Sequence, residues 1–364
     1  MNLTQIRKAA VVILNWNGRT LLEQFLPTLV MHTPNEIAEI IIADNGSTDD
    51  TESFLTSRYP HFQRIAFEKN YGFAEGYNRA LSQLNHEYVV LLNSDIEVTA
   101  LWLESAIDFL DTHPEIAALQ SKLLDYNKKN YFEYAGAAGG FIDIYGYPFC
   151  RGRILATIEQ DQGQYDNSTE IFWASGACLF IRLKDFREAG GFDKNFFAHQ
   201  EEIDLCWRLK ARGKKIVCLP QSVVYHIGGA TLKMEHPRKT FLNFRNNLLM
   251  VYKNLPEKYY RKVMLQRFIF DHLAALHLLL KGHPANAWSV IKALRDFFRQ
   301  KKNYRIIRKE NLEKTVEELP FGILSQSILW KYYIKNQREY RQVIPHSTTF
   351  HSEFLLKKEQ NDKV

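Results

Sequence analysis

A polar tripeptide, Asn93-Ser94-Asp95, directly follows an apolar run at 89–92 that includes two β-branched valines. Such a run is typical of a strand that is buried on both faces of a sheet. In open α/β sheets ligands bind at the carboxyl ends of the strands, so Asp95 is expected where a metal ion or a phosphate-bearing ligand binds. Asn, Ser and Asp are also frequent turn formers, and an ordinary turn is the alternative interpretation.

Two further predicted strands end in side chains of the same kind. The first strand is followed by Asn15 and Asn17, and the second by Asp44 and Asn45. The carboxyl ends of parallel strands meet at one edge of a sheet, so these residues and Asp95 are expected to line one pocket. Three coincident polar strand ends favour a nucleotide pocket over three unrelated turns.

These groups suit different parts of a nucleotide. Asp44 could accept the ring N–H of a pyrimidine, and the turn from Asn93 to Asp95 could hold a divalent cation that bridges two phosphates. Mg²⁺ and Mn²⁺ take oxygen ligands and need only one or two carboxylates when the substrate supplies the others. The sequence therefore predicts a site for Mg²⁺ or Mn²⁺ at Asp95.

The order of the predicted elements indicates the fold that must position these residues. Strands alternate with amphipathic helices, which favours an α/β fold: a mainly parallel sheet with right-handed crossovers and helices on both faces. The predicted strands are at 10–14, 40–43, 65–67 and 89–92. Residues 123–170 are rich in Tyr, Gly, Asn and Asp, which predicts irregular strands and loops around a binding cleft.

Regular patterns return after residue 170. They predict a bent strand at 171–182, a short helix near Asp185, a helix at 201–212 that ends at Gly213, and strands at 215–219 and 222–225. From about residue 238 the pattern is helical and charged. We therefore predict two parts, a catalytic domain at 1–235 and a basic, amphipathic helical region at 236–364.

The composition is that of a globular protein, since 46% of the 364 residues are hydrophobic and 13% are aromatic. Four cysteines lie far apart without metal-site spacing, which favours reduced thiols in the cytoplasm. The N-terminus lacks the long apolar segment of a signal peptide. No stretch reaches about 18 uncharged apolar residues, so no membrane-spanning helix is expected.

The charge is unevenly distributed along the chain. Residues 233–364 contain 26 Lys and Arg against 12 Asp and Glu, whereas the rest contains 21 against 29. The basic region predicts peripheral attachment to an anionic membrane surface on the cytoplasmic leaflet, with Trp288 inserting shallowly. The alternative is an ordinary solvated helical face. No nucleic-acid-binding signature accompanies the basic charge, so we expect no nucleic-acid partner.

Eight segments, in the correct order, resemble the family 2 inverting glycosyltransferases, and especially their rhamnosyltransferase-like branch with a GT-A fold. They extend over about residues 9–252 and are VVILNWNG, IIADNGSTDD, EKNYGFAEGYNRAL, YVVLLNSDIEV, ASGACLFIR, GGFDKNFFAHQEEIDLCWRLKARG, VVYHIGG and FRNNLLM. The resemblance implies transfer from a nucleotide-sugar donor to a lipid-linked or surface-glycan acceptor. It favours dTDP-rhamnose as the donor, with a UDP-hexose second.

The resemblance also assigns residues to the donor side of the site. The family's base-recognising aspartate falls on Asp44, and its metal turn falls on Asn93, Ser94 and Asp95. Asn93 replaces the first acid of that turn, which leaves Asp95 to reach the metal. The remaining donor-binding residues that the resemblance implies are Asn15, Asn17, Asn45, Asn70, Gly72 and Asn78.

The family's Glu-Asp pair, whose second member acts as general base, falls on Glu201 and Glu202. Glu202 stands in the aspartate position, so the choice between the two carboxylates stays open. The base takes the proton of the acceptor hydroxyl as this attacks the anomeric carbon, and a single displacement inverts that centre. Asp204 is expected to point elsewhere, capping the helix or pairing with Arg208 at i+4.

Three further assignments come from the resemblance. His226 is implied to face the metal or the diphosphate, although a lone histidine is more often structural. Arg245 is either a bidentate diphosphate clamp or an ordinary helix-surface arginine. Trp173, with Ser175 and Gly176, resembles the acceptor-side segment, and its ring either stacks on a sugar or belongs to the core.

Two other functions stay open. A sugar nucleotidyltransferase uses a similar sheet and metal, but NWNGRT is a poor version of its phosphate loop. A non-catalytic glycan-binding relative is the second alternative, in which Asn93 and Glu202 would mark the loss of activity.

Overall fold

The computed structural model describes residues 7–228 and 236–344. The strands are β1 Ala9–Asn15, β2 Ala38–Asp44, β3 Gln63–Ala66, β4 Tyr88–Leu92, β5 Ile96–Val98, β6 Ile116–Asp125, β7 Gly140–Asp143, β8 Pro148–Cys150, β9 Arg153–Ile154, β10 Thr157–Ile158, β11 Thr169–Glu170, β12 Cys178–Arg182, β13 Lys215–His226 and β14 Ile323–Leu324. The α-helices are α1 Arg19–Met31, α2 Thr51–Arg58, α3 Gly72–Leu81, α4 Trp102–Thr112, α5 Leu183–Glu188, α6 Glu201–Ala211, α7 Pro237–Asn254, α8 Glu257–Leu280, α9 Pro284–Gln300, α10 Arg305–Glu313, α11 Ile328–Tyr333 and α12 Tyr340–Val343. Short 3₁₀ helices lie at Lys194–Phe196 and Lys301–Tyr304.

The four strands predicted in the first part of the chain form one parallel block in the order β3-β2-β1-β4. Their apolar residues are buried on both faces, as the continuous apolar runs indicate. The sheet continues from β4 through β12, β6 and β13 to β11, and β5 pairs with β13. This second half is mixed, because β12 runs antiparallel to both of its neighbours whereas β6 and β13 are parallel.

Two predicted strand patterns differ in detail from the observed strands. The bent strand predicted at 171–182 is regular only from Cys178, and the residues before it form a single bridge between Gly140 and Trp173. The strands predicted at 215–219 and 222–225 are one strand, β13, with an irregular register between Leu219 and Val223. Pro220, Gln221 and Ser222 separate the two predicted strands, but pairing with β6 resumes beyond them.

The irregular segment predicted at 123–170 contains a second, smaller sheet in the order β10-β9-β8-β7-β14. Its last strand comes from the C-terminal region, which is otherwise helical. Buried side chains of α7, α9 and α11 belong to the same hydrophobic core as those of β1 and β4. The described C-terminal residues therefore complete the core of the catalytic part. The predicted boundary at residue 235 lies outside the described residues.

One described helix, α8, is long and apolar enough to cross a membrane, judged by its 24-residue length and composition alone. Only 22% of its most apolar stretch is buried inside the protein. This corrects the expectation that no such helix exists. The expectation required an uncharged run, whereas the two charged residues within the apolar stretch of α8, Arg267 and Asp271, pair with each other on its buried side.

Candidate active site

The predicted metal turn lies at the carboxyl end of β4, where Asp95 meets His226. The carboxylate oxygen Oδ1 of Asp95 is 3.1 Å from Nε2 of His226, and both side chains are buried. These residues are 131 positions apart in the chain. They come together because β5 pairs with the end of β13, which sets His226 opposite Ile96.

A second carboxylate, Glu133, lies on the other side of the His226 ring. Its Oε1 is 3.3 Å from Nδ1 of His226, and its Oε2 accepts a 2.5 Å hydrogen bond from the backbone N–H of Ala135. Burial alone would lower the pKa of His226, but its contacts with Asp95 and Glu133 raise this pKa to about 10. Sequence reasoning missed Glu133, because it lies in the irregular segment and belongs to no motif.

The donor set of this cluster suits a divalent cation. A carboxylate oxygen of Asp95 and Nε2 of His226 face each other, and both are ligand types that Mn²⁺ accepts once the cation displaces the proton that lies between them in its absence. No group of three His, Cys, Asp or Glu residues within 7–228 and 236–344 could hold a metal by itself. A metal here would therefore need oxygen ligands from the substrate, while Glu133 would orient the His226 ring from behind.

The two candidate base residues open helix α6. Glu201 is buried and Glu202 is half-buried, and one carboxylate oxygen of each has no hydrogen-bond partner among the described residues. Burial raises the pKa of Glu202 to about 7. Burial, together with the neighbouring charge of Glu202, raises the pKa of Glu201 well above its usual value. The pair thus supplies a carboxyl group that titrates near neutral pH.

The segment before β12 connects the metal turn to this pair. The backbone N–H of Asn93 donates a 2.9 Å hydrogen bond to the carbonyl of Ala177. At the preceding residue, Gly176, an added Cβ would lie 4.0 Å from the Cβ of Glu202. The start of the predicted metal turn and the predicted base therefore both lie next to one short segment.

The loop that leads into α6 has an unusual backbone conformation. Phe197, His199 and Gln200 have φ angles of 64°, 71° and 74°, in the left-handed region that non-glycine residues rarely adopt. Each such residue costs about 1 kcal/mol or more and needs support from its surroundings. The loop ends directly at Glu201, so its conformation sets the direction of both carboxylates.

Asn246, on α7, supplies part of that support. Its side-chain amide nitrogen is fully buried and lies 3.0, 3.0 and 2.8 Å from the backbone carbonyl oxygens of Phe196, Ala198 and His199. The next residue, Asn247, donates a 2.9 Å hydrogen bond to the side chain of Gln200. The FRNN motif contains these residues, but sequence reasoning selected only its arginine.

The structure corrects the assignment of Arg245 as a diphosphate clamp. Its guanidinium is largely buried and donates to the carbonyl of Asn195, at 2.9 Å, and to the side-chain oxygen of Asn246, at 2.7 Å. It also lies 3.7 Å from a carboxylate oxygen of Asp296. Because these partners occupy its donors, Arg245 supports the loop from the same side as Asn246.

Basic side chains at the start of α7 lie closer to the carboxylate clusters. The guanidinium of Arg238 stacks over the ring of Phe197, 4.7 Å from its centroid. The charge of Lys239 acts on both Glu133 and His199, since burial and this lysine together lower the pKa of His199 to about 4. Sequence reasoning overlooked both residues, because they looked like part of an ordinary basic helix.

The predicted donor residues at the first two strand ends divide into two groups. Asp44 is half-buried and Asn17 is exposed, so both remain accessible to a ligand, although Asp44 accepts from the N–H of Ser47, at 3.3 Å, and Asn17 accepts from the N–H of Thr48, at 2.7 Å. Asn15 is fully buried and donates to Ser47 and Asp44, at 3.2 and 3.5 Å. These bonds connect the ends of β1 and β2, so Asn15 is corrected from a ligand contact to a residue that shapes the pocket.

Asn45 and Asn78 also have structural partners. The buried side chain of Asn45 donates to Asn70 and to the carbonyl of Gly72, at 3.1 and 3.0 Å. Asn78 exchanges two 2.9 Å hydrogen bonds with the backbone of Phe192. Their amides are thus occupied, and these two residues are corrected to supports of the donor side.

The loop at Asn70 and Gly72 packs against the strained loop before α6. Asn70 accepts a 2.7 Å hydrogen bond from the N–H of Gly72. Gly72 has a φ of 80°, and a Cβ at this position would lie 2.7 Å from the carbonyl oxygen of Phe197. This carbonyl accepts from the N–H of Phe73, at 2.7 Å, so the start of α3 supports the loop from the side opposite α7.

The acceptor-side assignments are corrected in part. Trp173 is buried and donates from its ring nitrogen to the carbonyl of Phe141, at 2.9 Å, so its ring belongs to the core. Ser175 is buried and bonds through its backbone N–H to Gln120. Gly176 has no side chain, and it lies next to Glu202 as described above. The expected pairing of Asp204 with Arg208 is confirmed, at 3.0 Å.

The chain is similar to known glycosyltransferases in sequence and in fold. Residues 10–187 match Glycosyl transferase family 2. An N-acetylglucosaminyl-diphospho-decaprenol L-rhamnosyltransferase of Mycobacterium tuberculosis is 27% identical over 231 residues, which cover 59% of this chain and 75% of that protein. The rhamnosyltransferase WbbL of Escherichia coli K12 is 22% identical over 73% of this chain and 98% of its own length.

Two crystal structures resemble the fold over most of the chain. GalNAc-T7 with UDP, GalNAc and Mn²⁺ has a TM-score of 0.56 and 14% identity, over 92% of this chain and 57% of that one. Residues 1–349 of TarS from S. aureus, in complex with UDP-GlcNAc, give a TM-score of 0.53 and 17% identity, over 84% and 89%. The predicted GT-A fold is confirmed, and a glycosyltransferase is favoured over the two alternatives.

The support that Asn246 gives to the strained loop can be tested directly. Replacement by alanine leaves buried carbonyl groups without partners, at about 1–3 kcal/mol each, and frees Glu201 and Glu202 to reorient. We expect Asn246→Ala to lower kcat by about tenfold or more, with the KM for the donor nearly unchanged. Steady-state kinetics alongside thermal unfolding measures both effects.

The matched control is Asn311→Ala, which removes a buried 3.0 Å hydrogen bond to Asn254 that lies outside the loop. It should lower the melting temperature to a similar extent while leaving kcat intact. An equal loss of kcat in both variants would show that Asn246 contributes only to stability.

Proposed function

Since the chain is a glycosyltransferase of family 2 that resembles rhamnosyltransferases, we propose that it transfers a sugar from a nucleotide-activated donor to a lipid-linked or surface-glycan acceptor. The favoured donor is dTDP-rhamnose, with a UDP-hexose second. The observation that carries the proposal is that one short segment, residues 176–177, lies next to both Glu202 and the start of the turn that leads to the Asp95–His226 contact. The name of the mycobacterial relative, which pairs L-rhamnose with a diphospho-decaprenol acceptor, supports this choice of substrates.

Glu202 is the proposed general base. The acceptor hydroxyl attacks the anomeric carbon while its proton passes to a carboxylate oxygen of Glu202, and the bond from the anomeric carbon to the nucleoside diphosphate breaks. This single displacement inverts the anomeric centre and forms no covalent sugar-enzyme intermediate. A pKa near 7 suits the task, because the group is ionised enough at neutral pH to accept a proton and basic enough to hold it.

Glu201 has a different part in this scheme. Its stronger burial keeps its carboxyl protonated to higher pH, so it adds little negative charge beside Glu202. The side chain of Glu202 is half-buried whereas that of Glu201 is buried, so Glu202 is the more accessible of the two to an acceptor hydroxyl. This accessibility and its pKa near 7 favour Glu202 over Glu201 as the base.

Asp95 and His226 are the residues that would hold Mg²⁺ or Mn²⁺. When bound, the cation would offset the negative charge that develops on the leaving diphosphate. Glu133 holds the far nitrogen of His226 and so keeps the ring turned toward Asp95. Arg238 and Lys239 replace Arg245 as the proposed basic contacts of the diphosphate.

The proposed location is the cytoplasmic face of a membrane. A lipid-linked acceptor presents its sugar at the bilayer surface, and the net positive charge of residues 233–364 would be attracted to anionic headgroups. The enzyme is thus proposed to work as a peripheral membrane protein.

The base assignment predicts a specific effect of pH. A carboxylate accepts a proton only when ionised, so turnover should fall as the pH is lowered through about 7. Glu202→Gln keeps the size of the side chain and removes its basicity, and we expect a loss of about 10²–10⁴-fold in kcat. Donor binding, measured by calorimetry, should stay nearly unchanged.

Glu201→Gln is the matched control for this experiment. It should retain turnover within about tenfold of the wild type and keep the same loss of rate at low pH. If Glu201→Gln loses turnover and Glu202→Gln keeps it, the two roles are exchanged; if both variants remain fully active, neither residue is the base.

The metal assignment predicts graded losses of affinity. Asp95→Ala should abolish the dependence of nucleoside diphosphate binding on Mn²⁺, since it removes a direct ligand. Glu133→Gln retains that ligand but weakens the orientation of His226, and should lower Mn²⁺ affinity by about tenfold. Calorimetry with and without EDTA, and electron paramagnetic resonance of Mn²⁺, measure binding without any turnover.

Glu170→Gln provides the control carboxylate, since Glu170 pairs with Lys210 outside this cluster. Its Mn²⁺ affinity should equal that of the wild type. Metal-dependent nucleotide binding that survives Asp95→Ala would contradict the assignment.

A further inference from the structure

Helix α8 exposes an apolar surface along its second half. Seven of its large apolar side chains are about half exposed or more, and their spacing of three or four residues places them on one side of the helix. They are Leu265, Phe268, Ile269, Leu273, Leu276, Leu279 and Leu280, here called the α8 face. An apolar surface of this extent on a soluble protein indicates an interaction site.

The charged residues of the same stretch point the other way. Arg267 and Asp271 are almost completely buried and lie 3.3 Å apart. Arg267 also donates to the carbonyl of Tyr145, at 2.7 Å, and Asp271 accepts from the hydroxyl of Tyr147, at 2.9 Å. A surface helix of a soluble protein normally turns its apolar side toward the core. Helix α8 does the opposite, with its ion pair against the protein and its apolar side toward solvent.

Basic residues stand at both ends of the α8 face. Arg261 and Lys262 precede it and Lys281 follows it, and all three are exposed. Trp288, near the start of α9, is also about half exposed. Basic residues and tryptophan at the borders of an apolar surface match the headgroup region of a bilayer, where anionic lipids and amphipathic rings are found together.

An apolar groove continues from this face toward α7 and α9. It has a volume of about 220 Å³ and is lined by apolar side chains such as Met264, Phe268 and Phe298, together with Arg261 and Lys301. Apolar walls beside two cationic groups fit the acyl chain and the phosphate of one anionic lipid.

We propose that the α8 face lies in the surface layer of an anionic bilayer, with the helix axis along the membrane plane. A spanning orientation would require α8 to leave Tyr145 and Tyr147 and to carry its ion pair into hydrocarbon. A second copy of the chain fits less well, because the cationic ends of two α8 helices would meet in any two-fold pairing through this face. The binding of α8 to a bilayer is argued from the surface of this helix alone. Only the idea that the same membrane holds the acceptor rests on the proposed function.

Vesicle binding by the full-length protein tests the proposal. We expect the wild type to sediment with vesicles containing phosphatidylglycerol and to bind pure phosphatidylcholine at least several-fold more weakly. Leu273→Glu places a charge in the α8 face and should weaken binding to the anionic vesicles by about tenfold or more. Met31→Glu is the matched control, because Met31 is also an exposed apolar residue but belongs to α1, and it should bind like the wild type.

Three outcomes would overturn the proposal. The first is that Leu273→Glu binds vesicles as well as the wild type does. The second is that the bound wild type resists extraction at high pH, as a membrane-spanning protein would. The third is that the wild type forms a dimer in analytical ultracentrifugation and that Leu273→Glu dissociates this dimer. Donor hydrolysis in solution is measured on the same samples, and Leu273→Glu should hydrolyse the donor like the wild type. Absence of hydrolysis in the wild type would contradict the proposed function, whereas absence of vesicle binding would contradict only the membrane proposal.

Discussion

The pairing of β5 with the end of β13 is the constraint on which the site depends, because it alone brings His226 to Asp95. β13 stays beside β6 up to His226. Its other edge pairs first with β11 and then, beyond the register irregularity between Leu219 and Val223, with β5. Ser222 lies at the irregularity and is fully buried, and its hydroxyl bonds to the carbonyl of Trp102 and to the hydroxyl of Ser121, both at 2.7 Å. These bonds satisfy the buried hydroxyl of Ser222 and attach the irregular part of β13 to α4 and β6.

A second constraint acts on the base and comes from the C-terminal region. The left-handed loop before α6 is held from α7 by Asn246, and α6 itself is fixed by Asp204, which accepts from both Lys253 and Asn254, at 2.9 Å. Although burial opposes ionisation, these partners and Arg208 keep the pKa of Asp204 below its usual value. A carboxylate that stays charged in the core forms stronger bonds to its partners than a neutral one. The helices after residue 236 thus belong to the catalytic machinery as much as the sheet does.

The sequence could predict what local patterns encode. Continuous apolar runs located the parallel strands, and the polar residues after them located the edge of the sheet with Asp44 and Asp95. Local patterns could not separate ligand contacts from internal bonds, because Asn15 and Asn45 have the same polar character as Asn17 and differ only in their partners. They also could not reveal Glu133, whose approach to His226 arises from pairing between distant segments.

The C-terminal helices show a similar limit. Their amphipathic pattern was evident from the sequence, but periodicity does not tell which side of a helix faces the protein. In α7 the polar residues Arg245, Asn246 and Asn247 face inward and are buried, whereas in α8 an apolar stripe faces outward. Polar groups turn inward where carbonyls of a strained loop need donors, and Leu, Ile and Phe remain outside where the core is already filled. If lipid covers the outer surface of α8, the same principle applies to both helices. The buried polar groups of α7 then have hydrogen-bond partners, and the apolar side chains of α8 are in contact with apolar lipid.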